Sequence, residues 1–188
     1  MPLQILSVGG VTSTTEAHIW TAQQTFSVGI NLTAGQLIFP ATQSASADAN
    51  TLDDYEEGTF TPTILDNTLS NAEGQTYTTQ AGRYTKIGNR VLIGLELNIS
   101  GLGCLTTCEG ANVGGLPFTS NAANVNSVSV GFESGMSITA NQTPAGHIFT
   151  SVAYISLNLW DTTGGHGALQ LTEFGTSGRI FVSAIYEV

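Results

Sequence analysis

Four carboxylates fall within five residues of the stretch NTLDDYEEGTFTP, positions 50–62: Asp53, Asp54, Glu56 and Glu57. Carboxyl groups at this density have three chemistries open to them. Glycoside hydrolysis needs two facing each other across a sugar bond, about 5 to 9.5 Å apart, and such pairs come more often from separate strands than from one run. Calcium needs clustered oxygens, but DANTLDDYEE lacks the glycine and the ligand spacing of a helix–loop–helix calcium loop. The third chemistry is structural, a charged turn that faces water or meets a basic partner. The basic residues are Arg83, Lys86, Arg90 and Arg179, and three of these lie within positions 83–90. The plainest reading is therefore a joint, in which Asp53, Asp54, Glu56 and Glu57 meet the hairpin carrying Arg83, Lys86 and Arg90. Pairs of this kind at a subunit joint set register and orientation more than strength. Thr51 is placed to cap a single helical turn over residues 52–56 that Gly58 ends, with the carboxylates where the helix dipole favours them.

Other reactive residues lack the company they need. Serine and threonine are abundant, but there is no G-x-S-x-G elbow, and His18, His147 and His166 are scattered without motif context. His147 reads as the start of a strand and His166 as part of a turn. The glycine-rich stretches GANVGG and DTTGGHG have no lysine after them, so they read as turns rather than phosphate cradles. Cys104 and Cys108 have neither the redox C-x-x-C spacing nor enough partners for zinc; a local disulfide and two inert thiols both fit. The expectation is no catalysis, no metal and no cofactor. Tyr154 and Trp160 share the face opposite Ile155, Leu157 and Leu159 in the run HIFTSVAYISLNLW. Facing outward, they are candidate ligand-binding residues of the kind that takes sugars; facing inward, they fill a subunit interface or a second sheet.

The elements that would position these residues are strands. In RVLIGLELNIS, Val91, Ile93, Leu95, Leu97 and Ile99 alternate with polar or small residues, the period-two signature of a half-buried antiparallel strand. Gly88 and Asn89 form a two-residue hairpin turn that pairs this strand with AGRYTKI. The same alternation recurs at Val128, Val130 and Phe132, and at Ile180, Val182, Ala184 and Tyr186, with the turn clusters SGLG, TSNAAN, DTTGG and GTSG between runs. A short helix over residues 14–22, capped by Ser13 with Glu16, is the main helical signal. These features predict an all-β protein, an antiparallel β-sandwich over residues 51–188 whose regular strands begin near residue 58.

Composition bounds the partners. Only 10% of the 188 residues are charged, and the net charge is −10, which argues against nucleic acid, because phosphate contacts need Lys and Arg. No apolar run reaches membrane-spanning length, and MPLQILSVGG has no secretory pattern, so an extracellular destination implies a route such as release by lysis. Residues 1–45 carry Ile19, Trp20, Phe26, Ile30, Leu32, Leu37, Ile38 and Phe39. That is too much apolar surface to leave in water and too little chain for its own core, since each large side chain is worth roughly 1.5–3 kcal/mol when buried. Residues 1–50, ending in the polar linker PATQSASADAN, are therefore expected to be an extended docking or oligomerisation segment, with Trp20 and Phe26 in the assembly.

The string GQLIFPATQSASADANTLDDYEEGTFTPTI, followed by YTTQAGRYTKIGNRV and GGLPFTS, resembles a module of bacteriophage tail fibres, tailspikes and related virion proteins. The upstream WTAQQTFSVGI is similar to a short element found before such joints, and the resemblance covers roughly residues 18–119. It implies a virion component assembled in the host cytoplasm, homotrimeric, contacting other tail or capsid proteins. Its jelly-roll-like sandwich tip would be displayed toward a host-surface glycan. The alternative implied by the same modules is a capsid decoration protein that cements the phage head.

Overall fold

The computed structural model describes residues 31–32, 34–70, 73–105, 109–161 and 164–188. Trp20, Phe26, His18, the expected helix at 14–22 and Cys108 lie outside these. The chain divides after Ile38, and Phe39–Val188 forms one compact unit.

That unit is all-β and antiparallel. Its strands are β1 (Tyr55–Phe60), β2 (Thr63–Leu65), β3 (Thr76–Ile87), β4 (Arg90–Gly101), β5 (Asn112–Gly114), β6 (Asn126–Ser134), β7 (Thr143–Ile148), β8 (Ile155–Asp161), β9 (Gly165–Ala168) and β10 (Arg179–Glu187). One short helix, α1 (Leu171–Phe174), seals the core with Leu171 and Phe174. The strands make a single sheet in the order β1-β3-β4-β10-β6-β7-β8-β5-β2, with β9 following β5 along the same edge of β8.

The alternating runs behave as their pattern dictates. Val91, Ile93, Leu95, Leu97 and Ile99 of β4 are all buried, as are Ile180, Val182, Ala184 and Tyr186 of β10 and Ile155, Leu157 and Leu159 of β8. The Gly88–Asn89 turn joins β3 to β4, with Ile87 opposite Arg90 and a positive φ at Gly88. Residues from both halves of the sheet belong to one core: Val91, Leu97 and Ile180 pack in the same cluster as Ile64, Val113 and Ile155. The sheet therefore curls until its two arms face each other, which gives the two inner faces a sandwich requires.

Its closure follows from connectivity. β1 and β2 are consecutive in the chain yet stand at opposite ends of the sheet order, with only Thr61 and Pro62 between them. Three Cα steps reach about 11 Å at most, whereas nine strands spread flat would set the two edges roughly 38 Å apart. Pro62 has no N–H to continue a ladder, so the chain leaves one edge and joins the other. Side chains stitch the seam: the Tyr77 hydroxyl accepts the Ile64 N–H at 3.0 Å, and the Gln80 amide donates to the Pro62 carbonyl at 2.9 Å. Register shifts in β3 at Thr76/Tyr77 and Tyr77/Thr79 bend that strand toward the seam.

Two expectations need correction. The run from 147 to 160 is not one strand. It breaks over residues 149–154, where the Ser120 hydroxyl donates to the Phe149 carbonyl and accepts the Val152 N–H, and Ser151 sits at φ 58°. The helical turn over 52–56 also does not form. Residues 55–60 are strand β1, and the turn lies earlier, where the Asp48 carboxylate takes the Asn50 N–H and the Asp48 carbonyl takes that of Thr51. Gly58 does not end a helix; it makes room for the Tyr84 ring lying across it, and a Cβ there would come within 2.6 Å of that ring.

Gly115, at φ +81°, follows β5 and backs onto the crossover, where an added Cβ would meet the Thr61 carbonyl oxygen at 2.3 Å. Gly115→Ala should therefore cost more than the ~1 kcal/mol of left-handed backbone strain alone, read as a lowered urea midpoint. Burial raises the phenol pKa of Tyr186 to about 12, and that of Tyr77 upward too. The folded state thus keeps protons that an unfolded tyrosine, near pH 10, gives up. Stability is complete below pH 10 and drains as pH climbs toward 12. Tyr186→Phe should flatten that alkaline decline in a melting series while costing about 1 kcal/mol near neutrality.

Candidate functional site

The acidic stretch sits where the chain enters the sheet. Asp53 accepts the Ser46 N–H at 2.8 Å; that bond leads the causes holding its carboxyl below the usual range, with Gln43 adding to it. Asp54, on the other parity, is buried and meets Lys86 of β3, also buried. Of the three basic residues on the hairpin, Lys86 is the one that pairs with Asp54. Burial pushes the Lys86 ammonium down, while Asp53 partly opposes this. Glu56 is half-buried opposite Lys86 in the β1–β3 register. Glu57 faces outward and accepts the Tyr55 hydroxyl, raising that phenol's pKa. Arg83 is exposed beside Glu57 in a shallow groove between β1 and β3. Arg90 pairs with Glu187 at 2.7 Å on the surface.

The motif segments converge on Phe118. Its ring packs edge-on against Tyr84 at 5.3 Å and lies 5.6 Å from the Lys86 ammonium. Its carbonyl accepts the Tyr186 hydroxyl at 3.1 Å. DDYEEG, YTKIG and GLPF thus meet at one point and tie β1, β3, the segment after β5 and β10 together. Asp54 is taken up by Lys86, and Asp53, Glu56 and Glu57 are divided between the two parities of the entering strand. Among the described residues, no three His, Cys, Asp or Glu side chains gather as a cation site.

A different surface has the make-up of a binding site. A groove crosses the outer face of β6, β7, β8 and β9, lined by Ser127, Gly146, His147, Asn158, Trp160 and His166. Trp160 is 55% exposed and leans on His166, ring centres 5.6 Å apart. Asn158 hydrogen-bonds His147 Nδ1 at 2.6 Å, His147 packs edge-on against Phe149 at 4.1 Å, and His147 Nε2 is buried without a partner. Burial holds the His147 imidazole below its ordinary pKa, and the nearby His166 pushes the same way.

Of the two aromatic candidates, Trp160 faces this groove. Tyr154 falls in the 149–154 break, half-buried, and is not part of its lining. His147 and His166, which had no motif context, come together only because β7 and β9 flank β8, with His166 opposite Trp160. His147 stands near the end of β7 rather than at a strand start, and His166 lies in a strand rather than a turn. The sequence signal for this site was the parity that set Trp160 opposite Ile155, Leu157 and Leu159.

The Asp54–Lys86 pair yields a prediction. Asp54→Asn or Lys86→Met alone leaves a buried charge without its partner, and each should cost about 3–5 kcal/mol in denaturant unfolding, with the double variant costing well under the sum. Arg90→Gln, which breaks an exposed pair, should change stability by less than about 1 kcal/mol.

No protein-family model matches the chain, and no curated protein matches it in sequence. Among solved structures, the crystal structure of the Dettilon tailspike protein is similar over 71% of this chain, with a TM-score of 0.59 at 14% identity. The chain spans 24% of that protein's length, and the likeness is one of fold.

Proposed function

We propose that the chain is a structural and adhesive component of a bacteriophage tail, a fibre or tailspike-type subunit whose β unit is displayed for attachment to host-surface glycans. The observation that carries this reading is the fold shared with the Dettilon tailspike protein, found in a chain whose DDYEEG, YTKIG and GLPF segments already resemble tail-fibre modules. The Trp160 groove supplies the adhesive surface, an exposed indole among amide, hydroxyl and imidazole groups.

Assembly as a homotrimer is part of the proposal. The outer face of β4 and β10 presents Leu92 and Ile185, both substantially exposed, and Phe181 beside the small residues Gly94 and Ser183. Apolar side chains around small ones on an outer sheet face suit contact with a sister copy. Residues 1–50 act as the docking segment toward the rest of the virion; Leu32, Leu37 and Ile38 are exposed in its described part. On this reading Asp53, Glu56, Glu57, Arg83 and Arg90 serve assembly and orientation, not catalysis.

The test is adhesion. Fluorescently labelled full chain should bind cells of the host bacterium and block phage adsorption, and Trp160→Ala should reduce binding at least about tenfold, a loss of 1.4 kcal/mol or more, with melting unchanged. A chain that neither binds cells nor competes with phage contradicts the proposal. So does a copy number per particle that scales with capsid subunits.

A further inference from the structure

The Trp160 groove differs in charge from the molecule around it. The chain has 14 acidic and 4 basic residues, yet no carboxylate lines this groove. β6 brings Asn126, Ser127 and Val128, β7 brings Gly146 and His147, β8 brings Asn158 and Trp160, and β9 brings His166. Asp161 ends β8 on the parity opposite Trp160, and its carboxylate accepts the Gly164 N–H. Glu109 lies where the surface continues past Asn67, and it accepts the Asn67 N–H at 2.9 Å. Burial and the neighbouring His166 both hold the free His147 imidazole toward its neutral form. Two other shallow grooves contain Glu96 or Glu57, and the acid-free groove over Leu92 and Ile185 has no imidazole. A groove with acids excluded, in so acidic a chain, suits an anion that the rest of the surface would repel.

The groove also has the parts for a sugar ring. The exposed indole offers a flat apolar platform for a pyranose C–H face. The Ser127 hydroxyl, the amides of Asn126 and Asn158 and the two imidazoles surround it with hydroxyl-binding groups. His147 Nε2, buried without a partner, is a polar atom left unsatisfied, as costly sites are until a ligand or water completes them.

Building on the receptor reading above, we infer that the groove takes an acidic saccharide, its ring on Trp160 and its carboxylate facing His147 and His166. An anion there favours the protonated His147 imidazole, so binding takes up protons. By linkage, affinity rises as pH falls through the imidazole range. Neutral saccharides gain nothing from that protonation.

The experiment uses the full chain and two probes, an oligosaccharide of hexuronic acid and the same oligosaccharide with its carboxyl groups reduced to alcohols, titrated calorimetrically at pH 5.5 and 7.5. The acid form should bind at least about tenfold tighter at pH 5.5 than at 7.5, and the reduced form should show no such change. His147→Gln should remove most of the pH dependence while Trp160-dependent binding persists. Histidine ring-proton shifts in NMR should move on adding the acid form to the unaltered chain, which checks the site without any variant. Equal binding of both probes at both pH values overturns the acidic ligand while leaving the receptor reading intact. Binding of neither probe by a chain that still adheres to host cells overturns the inference about this groove. Loss of cell adhesion altogether is the separate failure of the receptor reading.

Discussion

The two residues Thr61 and Pro62 impose the constraint from which the architecture follows. They join strands that lie at opposite edges of one sheet, so those edges must come within reach of a two-residue link. A sheet of this breadth meets that demand only by curling on itself, and curling is what turns one amphipathic surface into an enclosed core. Ile64 and Val113 from one arm then bury against Val91, Leu97 and Ile180 from the other. The seam also removes the liability of two open edges near each other, because Tyr77 and Gln80 satisfy backbone groups that the crossover leaves outside the ladder.

Electrostatics work within that frame. The chain has few charges, and the buried pair, Asp54 with Lys86, fixes how the incoming segment meets β3. Phe118 covers the ammonium and packs on Tyr84, while its carbonyl holds Tyr186 of the central strand β10. A break at one point of this cluster is felt by three strands. Two further cations sit in exposed pairs, Arg90–Glu187 and Arg179–Glu96. Those pairs contribute little to stability. On the outer face of β4 and β10, Leu92 and Ile185 reach water beside small residues, and in the Trp160 groove the exposed indole stands among uncharged amide and hydroxyl groups.

Strands of nine or more residues with strict alternation were legible from the sequence, because a one-residue slip would turn every apolar side chain of β4 or β10 to the wrong face. The Gly88–Asn89 turn was legible for a similar reason, since few residues accept that backbone. β2, β5 and β9, three or four residues each, carry no readable period. β1 was misread because its glycine and carboxylates resemble a capped turn; its apolar cover comes from Tyr84 on the neighbouring strand, which the local sequence does not show. The groove was half legible. Parity put Trp160 on the face opposite Ile155, Leu157 and Leu159 without deciding whether that face meets water, and its imidazole neighbours arrive from strands separated by the 149–154 break and by the turn into β9. The same break removed Tyr154 from the face it was expected to share.

Closure of the sheet through the 61–62 crossover is most directly tested by native-state hydrogen exchange. The amides of Ile64 and Val113 near the seam should exchange only through global unfolding, with the same free energy as Leu95 and Val182 at the sheet centre. If Ile64 and Val113 instead exchange through a local opening several kcal/mol below the global value, the two arms are not one cooperative core, and the account of this fold is wrong.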